Sequence, residues 1–524
     1  MLSATSLKFH SIWNNATKEI PPNPTGAVGE LMSMLGGVLE VDIVEYGQVE
    51  SSAFFLLDLS SLGFKGMDVN VVMVTHPSAN EEQSELHARL LAEYKETVKS
   101  IGFCFHISLQ YDEPEHNPFV PSWLEIVCMC GRDLERLLTA QVPSAVMFEV
   151  IRRQVGLPQL NPFNTTREAR GAMFKGRSSE VQSLVGDLDN HYLVTGARRI
   201  GKTSLLKKAH SVLQGRTDTR HRSFYFNCLS WGDYSDCAHR LALKVDPRRD
   251  LRVNLGLRNL AYLLQRASAD GRRPSILFLD ECDRLLDSAR AGNWQFLRLL
   301  HEATTSNWIR ITFAGFRSVQ ELSTSRDSPF FRSIKDMPTP PLSAGEARGL
   351  LSDPFNSMDI PLRDPEQILD RVQKGSAGHP FLVQFYGEQL FARAAARTPQ
   401  EVRLEDIDEI EDGFDLANFL KSHFLWNTLE SDVPSRSERL CAVVCALQGD
   451  SQGWTERDFL DACAAHSSAK LSLDEAQRAL TNLYYSCILG FSKGRYSFTF
   501  PLLRDTIARL YPSVETLLND LERT

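Results

Sequence analysis

The chain has 524 residues. A single hydrophobic core rarely supports a chain of this length, so we expect roughly two to four domains. Its composition is that of an ordinary globular protein, with 43% hydrophobic and 23% charged residues. The formal net charge of −9 provides no overall basic field, which weighs against a protein that mainly coats nucleic acid.

The sequence shows no sign of export or membrane insertion. The N-terminal segment lacks a charged stretch followed by an apolar core, and no run approaches the roughly 18 consecutive apolar residues that span a bilayer. Among the ten cysteines, only Cys128 and Cys130 are close in sequence, and no second pair completes a zinc site. We therefore expect a cytoplasmic protein with reduced thiols and no membrane partner.

Residues 1–164 are predicted to form a separate α/β domain. It has five strand-like apolar runs, with a helical pattern over residues 78–102 between the third and fourth. The runs are VLEVDIVEYG, SAFFLLDLS, VNVVMVTH, GFCFHISL and WLEIVCMCG. A nuclease pattern is not completed, because Asp68 precedes the third run but no lysine follows in it. We expect a sensor or effector domain that binds a protein partner.

Residues 165–340 are predicted to form a parallel sheet covered by helices, and the Pro-, Gly- and Asn-rich residues 156–177 are predicted to be a linker. The predicted strands cover residues 192–194, 223–229, 275–280, 309–316 and 336–340. Beyond residue 340 the patterns are mostly helical until a late hairpin, CILGFSKGRYSFTF, which turns at Ser-Lys-Gly-Arg.

The first of these strands is followed by a loop that fits the pattern G-x-x-x-x-G-K-[ST]. The loop reads Gly196-Ala197-Arg198-Arg199-Ile200-Gly201-Lys202-Thr203, and Ser204 follows it in an amphipathic helix. Glycines let the backbone curl so that N–H groups point at phosphate oxygens, and the helix adds its positive dipole end. Lys202 is expected to reach the β- and γ-phosphates, and Thr203 to ligate Mg²⁺. With these flanks, the loop predicts a nucleotide site rather than a chance glycine turn.

Two adjacent acids end the strand of residues 275–280. Asp280 is expected to hold hydrated Mg²⁺, and Glu281 to orient or deprotonate the attacking water. The alternative is that the pair only caps the next helix. Ligands of open parallel sheets bind at the carboxyl ends of strands, where the glycine loop also lies. The two motifs together therefore predict a site for ATP or ADP with Mg²⁺.

Three arginines are further candidates. Arg317 follows the strand of residues 309–316 and would face the γ-phosphate if that strand lies between the two motif strands, with Thr312 as an alternative further back. Arg326 and Arg332 are possible arginine fingers for the nucleotide of a neighbouring subunit. An ordinary solvated arginine is the alternative for each of the three.

In this order, the motifs resemble those of the STAND class of P-loop ATPases, a signal-transducing branch near the AAA+ proteins. MFKGRSSEVQSL resembles the F-x-G-R-x-x-E segment of the class, ITFAGFR its strand ending in arginine, and GSAGHPFLVQFYGEQLF the G-x-P motif of its helical lid. The resemblance implies that Phe174 and Arg177 lie near the adenine, that Pro380 packs against the base, and that residues 341–430 form the lid.

The resemblance also implies a winged helix over residues 431–524, with three helices, a hairpin wing and a closing helix. Animal and plant members sense ADP through a histidine in this domain, but no histidine follows Ser467 here, so we do not expect that lock. Because the chain reaches only just past this domain, we expect the N-terminal region, rather than a repeat array, to sense or signal.

DNA is a disfavoured partner. The third helix of the predicted winged helix carries Asp474, Glu475 and Arg478, and its hairpin adds only Lys493 and Arg495, whereas phosphate binding needs several cations on one face. A basic cluster between the second and third core strands could face DNA or an acidic surface, although an exposed loop is the more ordinary interpretation. Its members are Arg240, Lys244, Arg248, Arg249, Arg252 and Arg258.

The sequence therefore predicts an ATP-binding and hydrolysing molecular switch. ADP would hold core, lid and winged helix closed, whereas ATP would favour an open form that self-associates, through γ-phosphate contacts of Lys202 and Arg317. Slow hydrolysis through Glu281 would reset it. The main alternative is a DNA-binding AAA+ ATPase similar to origin-recognition proteins, and a third is a scaffold that binds nucleotide without turnover.

Overall fold

In its structure, a computed structural model, the chain divides into two compact units. The first unit contains Met1–Lys175, Gly345–Asp370 and Val383–Asp408, and the second contains Gly176–Ala344, Arg371–Leu382 and Glu409–Thr524. Residues of the predicted lid therefore belong to both units. The structure describes residues 4–39, 41–49, 52–58, 69–75, 103–112, 125–155, 160–166, 168–187, 189–215, 222–245, 257–268, 274–425, 436–448, 453–465, 471–485 and 488–523.

Helices and strands are numbered in chain order along the described residues. The strands are β1 (Asp42–Val49), β2 (Ser52–Asp58), β3 (Val69–Thr75), β4 (Phe103–Ser108), β5 (Glu125–Met129), β6 (Tyr192–Thr195), β7 (Ser223–Asn227), β8 (Ser275–Asp280), β9 (Ile309–Gly315), β10 (Lys335–Pro338), β11 (Leu489–Ser492) and β12 (Arg495–Phe498). The helices are α1 (Ala4–Ala16), α2 (Ala27–Leu39), α3 (Gly131–Thr139), α4 (Pro143–Arg152), α5 (Ser178–Gly186), α6 (Lys202–Gly215), α7 (Tyr234–Val245), α8 (Leu257–Ala267), α9 (Asp283–Ala291), α10 (Gln295–Thr305), α11 (Arg317–Thr324), α12 (Ala344–Ser357), α13 (Pro365–Ser376), α14 (Pro380–Ala395), α15 (Leu404–Asp412), α16 (Phe414–Leu420), α17 (Arg436–Leu447), α18 (Glu456–Ala465), α19 (Leu473–Tyr485), α20 (Pro501–Leu510) and α21 (Val514–Arg523).

The first unit contains a mixed sheet of five strands in the order β1-β2-β3-β4-β5. The pairs β1–β2 and β2–β3 are antiparallel, and β3–β4 and β4–β5 are parallel. The strands overlap the five predicted apolar runs. The described side chains of β3, Val71 to Thr75, are all buried, which explains its continuous apolar sequence. The helix predicted over residues 78–102 lies outside the described residues.

Part of the predicted linker is buried, and the boundary between the two units falls near its end, at residues 175 and 176. Leu160 and Phe163 are fully buried, and Phe163 lies so close to α14 that a Cβ on Gly387 would be 2.3 Å from its ring. The backbone N–H of Asn164 donates to the Gln384 side chain at 2.9 Å. Proline, glycine and asparagine predict turns, but they do not predict exposure when apolar side chains stand between them. Residues 160–164 of this segment are therefore packed within the first unit.

The second unit contains a parallel sheet in the order β10-β6-β9-β8-β7. Each strand overlaps a predicted one, and the parallel α/β core is confirmed. All six residues of β8, Ser-Ile-Leu-Phe-Leu-Asp, are buried. Apolar side chains cover both faces of the sheet, with Phe226, Leu277 and Phe313 in one cluster and Val194, Leu206 and Phe278 in another. β9 lies between β6 and β8, which brings three loops to one edge.

From residue 436 onwards, the described residues of the second unit form three helices, a hairpin and two further helices. The hairpin β11–β12 turns at Lys493 and Gly494, whose φ values of 52° and 78° suit a tight two-residue turn. α21 is absent from the sequence-based prediction. In the described part of the chain, no helix combines the length and apolar character needed to cross a bilayer.

Candidate nucleotide-binding site

The loop between β6 and α6 is tightly curled. Its φ values are positive at three positions, with 153° at Gly196, 56° at Arg199 and 102° at Gly201. A Cβ at residue 196 would lie 2.8 Å from the carbonyl oxygen of Thr339. The Ile200 side chain is 2% exposed and anchors the loop from within. Backbone conformation and packing therefore both require glycine at residue 196.

The Lys202 side chain reaches across this loop. Its Nζ donates to the carbonyl oxygens of Gly196 and Ala197, both at 3.0 Å, and the residue is buried. Lys202 is also the first residue of α6, so its ammonium group lies near the positive end of the helix dipole. This end of the helix suits an anion, which would have to replace the two carbonyls as partner of the ammonium group.

The Asp280 carboxylate is fully buried at the end of β8, next to the glycine loop. It accepts hydrogen bonds from the Thr203 hydroxyl, from the Tyr225 hydroxyl at 2.8 Å and from the backbone N–H of Glu281 at 3.0 Å. Burial and the neighbouring Glu281 charge raise its pKa, although the hydroxyl groups and Lys202 oppose them. The two predicted metal ligands are therefore in contact.

Glu281 follows Asp280 with a φ of 51°, in the left-handed region that a glutamate seldom adopts. The next residue ties this turn to β9. The N–H and the Sγ of Cys282 both donate to the Ala314 carbonyl, each at 3.2 Å. The strained backbone of Glu281 is thus held from the neighbouring strand.

Arg317 begins α11, two residues after β9 ends. Because β9 lies between β6 and β8, the condition for placing Arg317 near both motif strands is met. Thr312 lies in the middle of β9, opposite Tyr192 and Phe278, and is buried there. The strand order therefore favours Arg317 over Thr312 as the γ-phosphate contact. The contact of the Arg317 side chain with that phosphate stays a prediction.

Two residues of the predicted adenine contacts belong to the second unit. Arg177 is buried with a φ of 65°, and its guanidinium donates to the Pro340 carbonyl and, at 3.4 Å, to Glu180. Pro380 begins α14 directly after His379. Phe174 belongs to the first unit. Their roles towards the base stay predictions.

His379, the middle residue of the G-x-P motif, contacts the glycine loop. Its fully buried ring faces the backbone of Arg198, and burial lowers its pKa to about 3, helped by the positive charges of Lys202 and Arg177. The ring also lies 6.1 Å from that of Phe500, which precedes α20. A neutral imidazole therefore connects the loop with the C-terminal helices.

Arg199 makes a second connection from the same loop. Its guanidinium carbon lies 4.4 Å from the centre of the Phe381 ring, as in a cation–π contact. Phe381 stacks on Phe419 at 4.6 Å, and His423 meets both rings edge-on. Burial and the charges of the two loop arginines lower the pKa of His423 to about 4.

The two predicted arginine fingers lie on the surface between α11 and β10. Arg326 and Arg332 are both exposed, and the Arg332 guanidinium carbon lies 4.9 Å from the Phe331 ring centre. Exposure is needed for a contact with another subunit, but it is equally the property of an ordinary surface arginine. Both assignments stay predictions.

Three residues near the loop were missed by the sequence patterns: Tyr225, Asp283 and His379. Tyr225 lies on β7 and Asp280 ends β8, 55 residues further on, so no local motif links them. Asp283 stands in the same DECD stretch as the two acids, and His379 stands inside the G-x-P tripeptide. For Asp283 and His379, the available signal was a polar residue beside or inside a recognised motif.

The donor set suits a magnesium nucleotide. Mg²⁺ prefers oxygen ligands and usually takes one or two from protein, with phosphates and water supplying the rest. Thr203 and Asp280 provide such a pair, in contact with each other. Among the described residues, no group of three or more His, Cys, Asp or Glu residues could hold a metal alone. The site therefore fits a cation that arrives with phosphate.

A protein-family model described as "AAA domain" matches residues 187–322. The matched segment contains the glycine loop, the two acids and Arg317, which are the parts whose geometry is described above. The chain carries an AAA-type P-loop NTPase domain. The AAA domain ends before Arg326, Arg332 and Pro380, so the match does not extend to them.

Several solved structures are similar at low identity. A Walker-type ATPase of Pyrococcus abyssi has 16% identity and a TM-score of 0.48, over 66% of this chain and 99% of that one. The ORC2 protein of Aeropyrum pernix, in ADPNP–ADP complexes, has 14% identity and a TM-score of 0.48, over 66% and 95%. The RuvB branch migration motor of Thermotoga maritima has 14% identity and a TM-score of 0.35, over 62% and 92%. No curated protein matches the chain.

Proposed function

We propose that this protein is an ATP-binding and slowly hydrolysing molecular switch of the STAND type, acting in signalling, regulation or defence. The observation that carries the proposal is the contact between Thr203 and Asp280 at the mouth of the glycine loop. It joins the phosphate-binding loop to the acidic strand end in one site. Magnesium, when bound there, would neutralise phosphate charge.

The chain's own residues divide the work in this proposal. Lys202 and the loop N–H groups bind the β- and γ-phosphates, while Thr203 and Asp280 hold the cation. Glu281 orients the attacking water and accepts its proton. Arg317 contacts the γ-phosphate, which distinguishes ATP from ADP. Arg326 or Arg332 would complete the site of a neighbouring subunit.

The switch part of the proposal is supported by the contacts of Arg198 and Arg199. The backbone of Arg198 lies against His379, and the guanidinium of Arg199 lies over the Phe381 ring, so both residues contact the start of α14 or the residue before it. Through Phe500 and Phe419, these contacts continue to α20 and α16. A nucleotide that rearranges the loop would therefore also shift these helices. The size of the shift is limited by the difference in the nucleotide's affinity for the two loop arrangements.

The elements of residues 436–523 fit a winged helix that packs on protein rather than DNA. On α19, Arg478 is paired with Asp474. In the hairpin, the Arg495 guanidinium donates to the Gly453 carbonyl at 2.8 Å. Of the basic cluster, Arg240 and Lys244 are exposed on α7, whereas residues 246–256 lie outside the described residues. The paired arginines leave little charge for phosphates, so DNA loading is the less favoured function.

The deciding experiment measures molar mass by light scattering after size exclusion. The full chain is run with ADP, with a non-hydrolysable ATP analogue, and with each nucleotide plus duplex DNA. A larger mass with the analogue alone supports the switch. An unchanged mass combined with salt-sensitive, DNA-stimulated hydrolysis supports the DNA-binding alternative. Tightly retained ADP without turnover supports the scaffold.

A further inference from the structure

Asp283 joins the two strand ends that carry the proposed γ-phosphate contacts. It is the first residue of α9, and only 7% of it is exposed. Its Oδ2 accepts the backbone N–H of Phe316 at 2.8 Å, and its Oδ1 accepts the N–H of Ser318 at 2.9 Å. The residue between these two donors is Arg317. One carboxylate therefore fixes the backbone on both sides of Arg317.

The segment that Asp283 holds has no cap of its own. Phe316 stands at the N-cap position of α11 and makes no side-chain cap hydrogen bond. Free N–H groups at a helix start are usually satisfied by a local Ser, Thr, Asn or Asp side chain. Here the partner comes from a different helix, 33 residues away in sequence. This capping group thus belongs to the turn that bears Glu281.

Residues 282–283 pack tightly against residues 314–318. A Cβ at Gly315 would lie 2.4 Å from the Asp283 Oδ2. Cys282, between Glu281 and Asp283, is bonded to the Ala314 carbonyl through its N–H and its Sγ. Residues 282–283 are therefore fastened to residues 314–318 at consecutive points.

We propose that Asp283 is a positioning residue that holds Glu281 and Arg317 in one fixed arrangement, so that both act on the same γ-phosphate. This inference rests on the proposed function, since it assumes that these two residues face that group. Preorganised groups act in a transition state only when their supports hold them within a fraction of an ångström. ADP lacks the γ-phosphate, so its binding does not need this arrangement.

A purely structural cap would behave differently. Loss of such a cap lowers the stability of the AAA domain and reduces its affinity for every ligand to a similar extent. Loss of a positioning residue lowers turnover and the affinity for ATP, but leaves the affinity for ADP unchanged. The two roles are separated by comparing kcat, ADP affinity and ATP-analogue affinity in one variant.

The test uses Asp283→Asn in the full chain. An asparagine keeps the shape, but its single oxygen cannot serve both donors, and its NH₂ group would face one of them. We expect kcat to fall at least about tenfold and the preference for the ATP analogue over ADP to fall similarly, with the ADP dissociation constant within about twofold.

The matched control is Asp287→Asn, on the same helix. Asp287 accepts a hydrogen bond from the Ser318 hydroxyl at 2.7 Å, but its side chain is 45% exposed, and the hydrogen bonds described for it include no backbone N–H beside Arg317. We expect its kcat to stay within about twofold of the unsubstituted protein. Gly315→Ala, at the end of β9, would place a methyl group against the Asp283 carboxylate and displace it. We expect the same fall in kcat and in the preference for the ATP analogue, which keeps the test valid even if Asp283→Asn folds poorly.

Three outcomes overturn the inference: an unchanged kcat in Asp283→Asn, an equal loss of ADP and analogue affinity in both variants, or an equal effect of Asp287→Asn. If the unsubstituted protein binds the analogue but has no turnover, the ratio of analogue affinity to ADP affinity is compared between Asp283→Asn and the unsubstituted protein. An unchanged ratio then overturns the inference. If the unsubstituted protein binds no nucleotide at all, the proposed function fails, and the inference fails with it.

Discussion

Replacing Tyr225 by phenylalanine tests whether the buried Asp280 carboxylate is held for a metal ion. The Tyr225 hydroxyl donates to Asp280 Oδ2 at 2.8 Å, and Asp280 is completely buried. A hydrogen bond to a charged group contributes about 1.5–3 kcal/mol. Because Thr203 and the Glu281 N–H still hold the carboxylate, we take the lower end of this range. Each 1.36 kcal/mol corresponds to about a tenfold change.

We therefore expect Tyr225→Phe to raise the half-saturating Mg²⁺ concentration for ATP hydrolysis about tenfold. The assay titrates Mg²⁺ at fixed ATP and measures phosphate release. The control is Tyr262→Phe, since Tyr262 is 48% exposed and its hydroxyl accepts only from Arg266 among the hydrogen bonds described for it. Equal Mg²⁺ requirements in Tyr225→Phe and the unsubstituted protein would refute the idea that Tyr225 positions a metal ligand.

The remaining predictions concern the loop and its connections. Lys202→Ala should abolish ATP binding in calorimetry, because its ammonium is the buried cation of the loop; retained affinity would contradict this. Glu281→Gln should bind ATP normally but trap the ATP form without turnover, and a normal rate of phosphate release would show that Glu281 is not the base. Gly196→Ala should weaken ATP binding about tenfold or more, given its strained φ and the 2.8 Å approach to Thr339, whereas Gly186→Ala, where a Cβ meets nothing within 4 Å, should be silent. Phe381→Leu should keep ATP binding but lose the mass difference between ADP and the analogue, since it removes ring contacts worth about 0.5–1.5 kcal/mol each; an unchanged mass difference would exclude Phe381 from the coupling.

The core of the second unit could be predicted because its signals are local. Each strand is a short apolar run that is buried on both faces, and the glycine loop has a fixed spacing between its flanking strand and helix. The position of β9 could be stated only as a condition. Sequence order does not give strand order, and the sheet places β9 between β6 and β8, whereas β7 is the strand between them in sequence.

The parts that could not be predicted depend on contacts over long sequence distances. Tyr225 and Asp280 are 55 residues apart, and Asp283 reaches Phe316 across 33. The burial of Leu160 and Phe163 within the predicted linker was missed for a related reason, since the helix that Phe163 contacts lies more than 200 residues further on. For α1, the buried Phe9, Ile12 and Trp13 do follow helical spacing and were an available signal.

The central claim is that the curled loop with Lys202 binds a triphosphate, with Thr203 and Asp280 holding its Mg²⁺. Calorimetric titration of ATP into the full chain, with Mg²⁺ and with a chelator, tests it most directly. We predict saturable binding of one ATP per chain that weakens strongly when the chelator removes Mg²⁺. Binding that is absent, or equally tight without Mg²⁺, would contradict the claim.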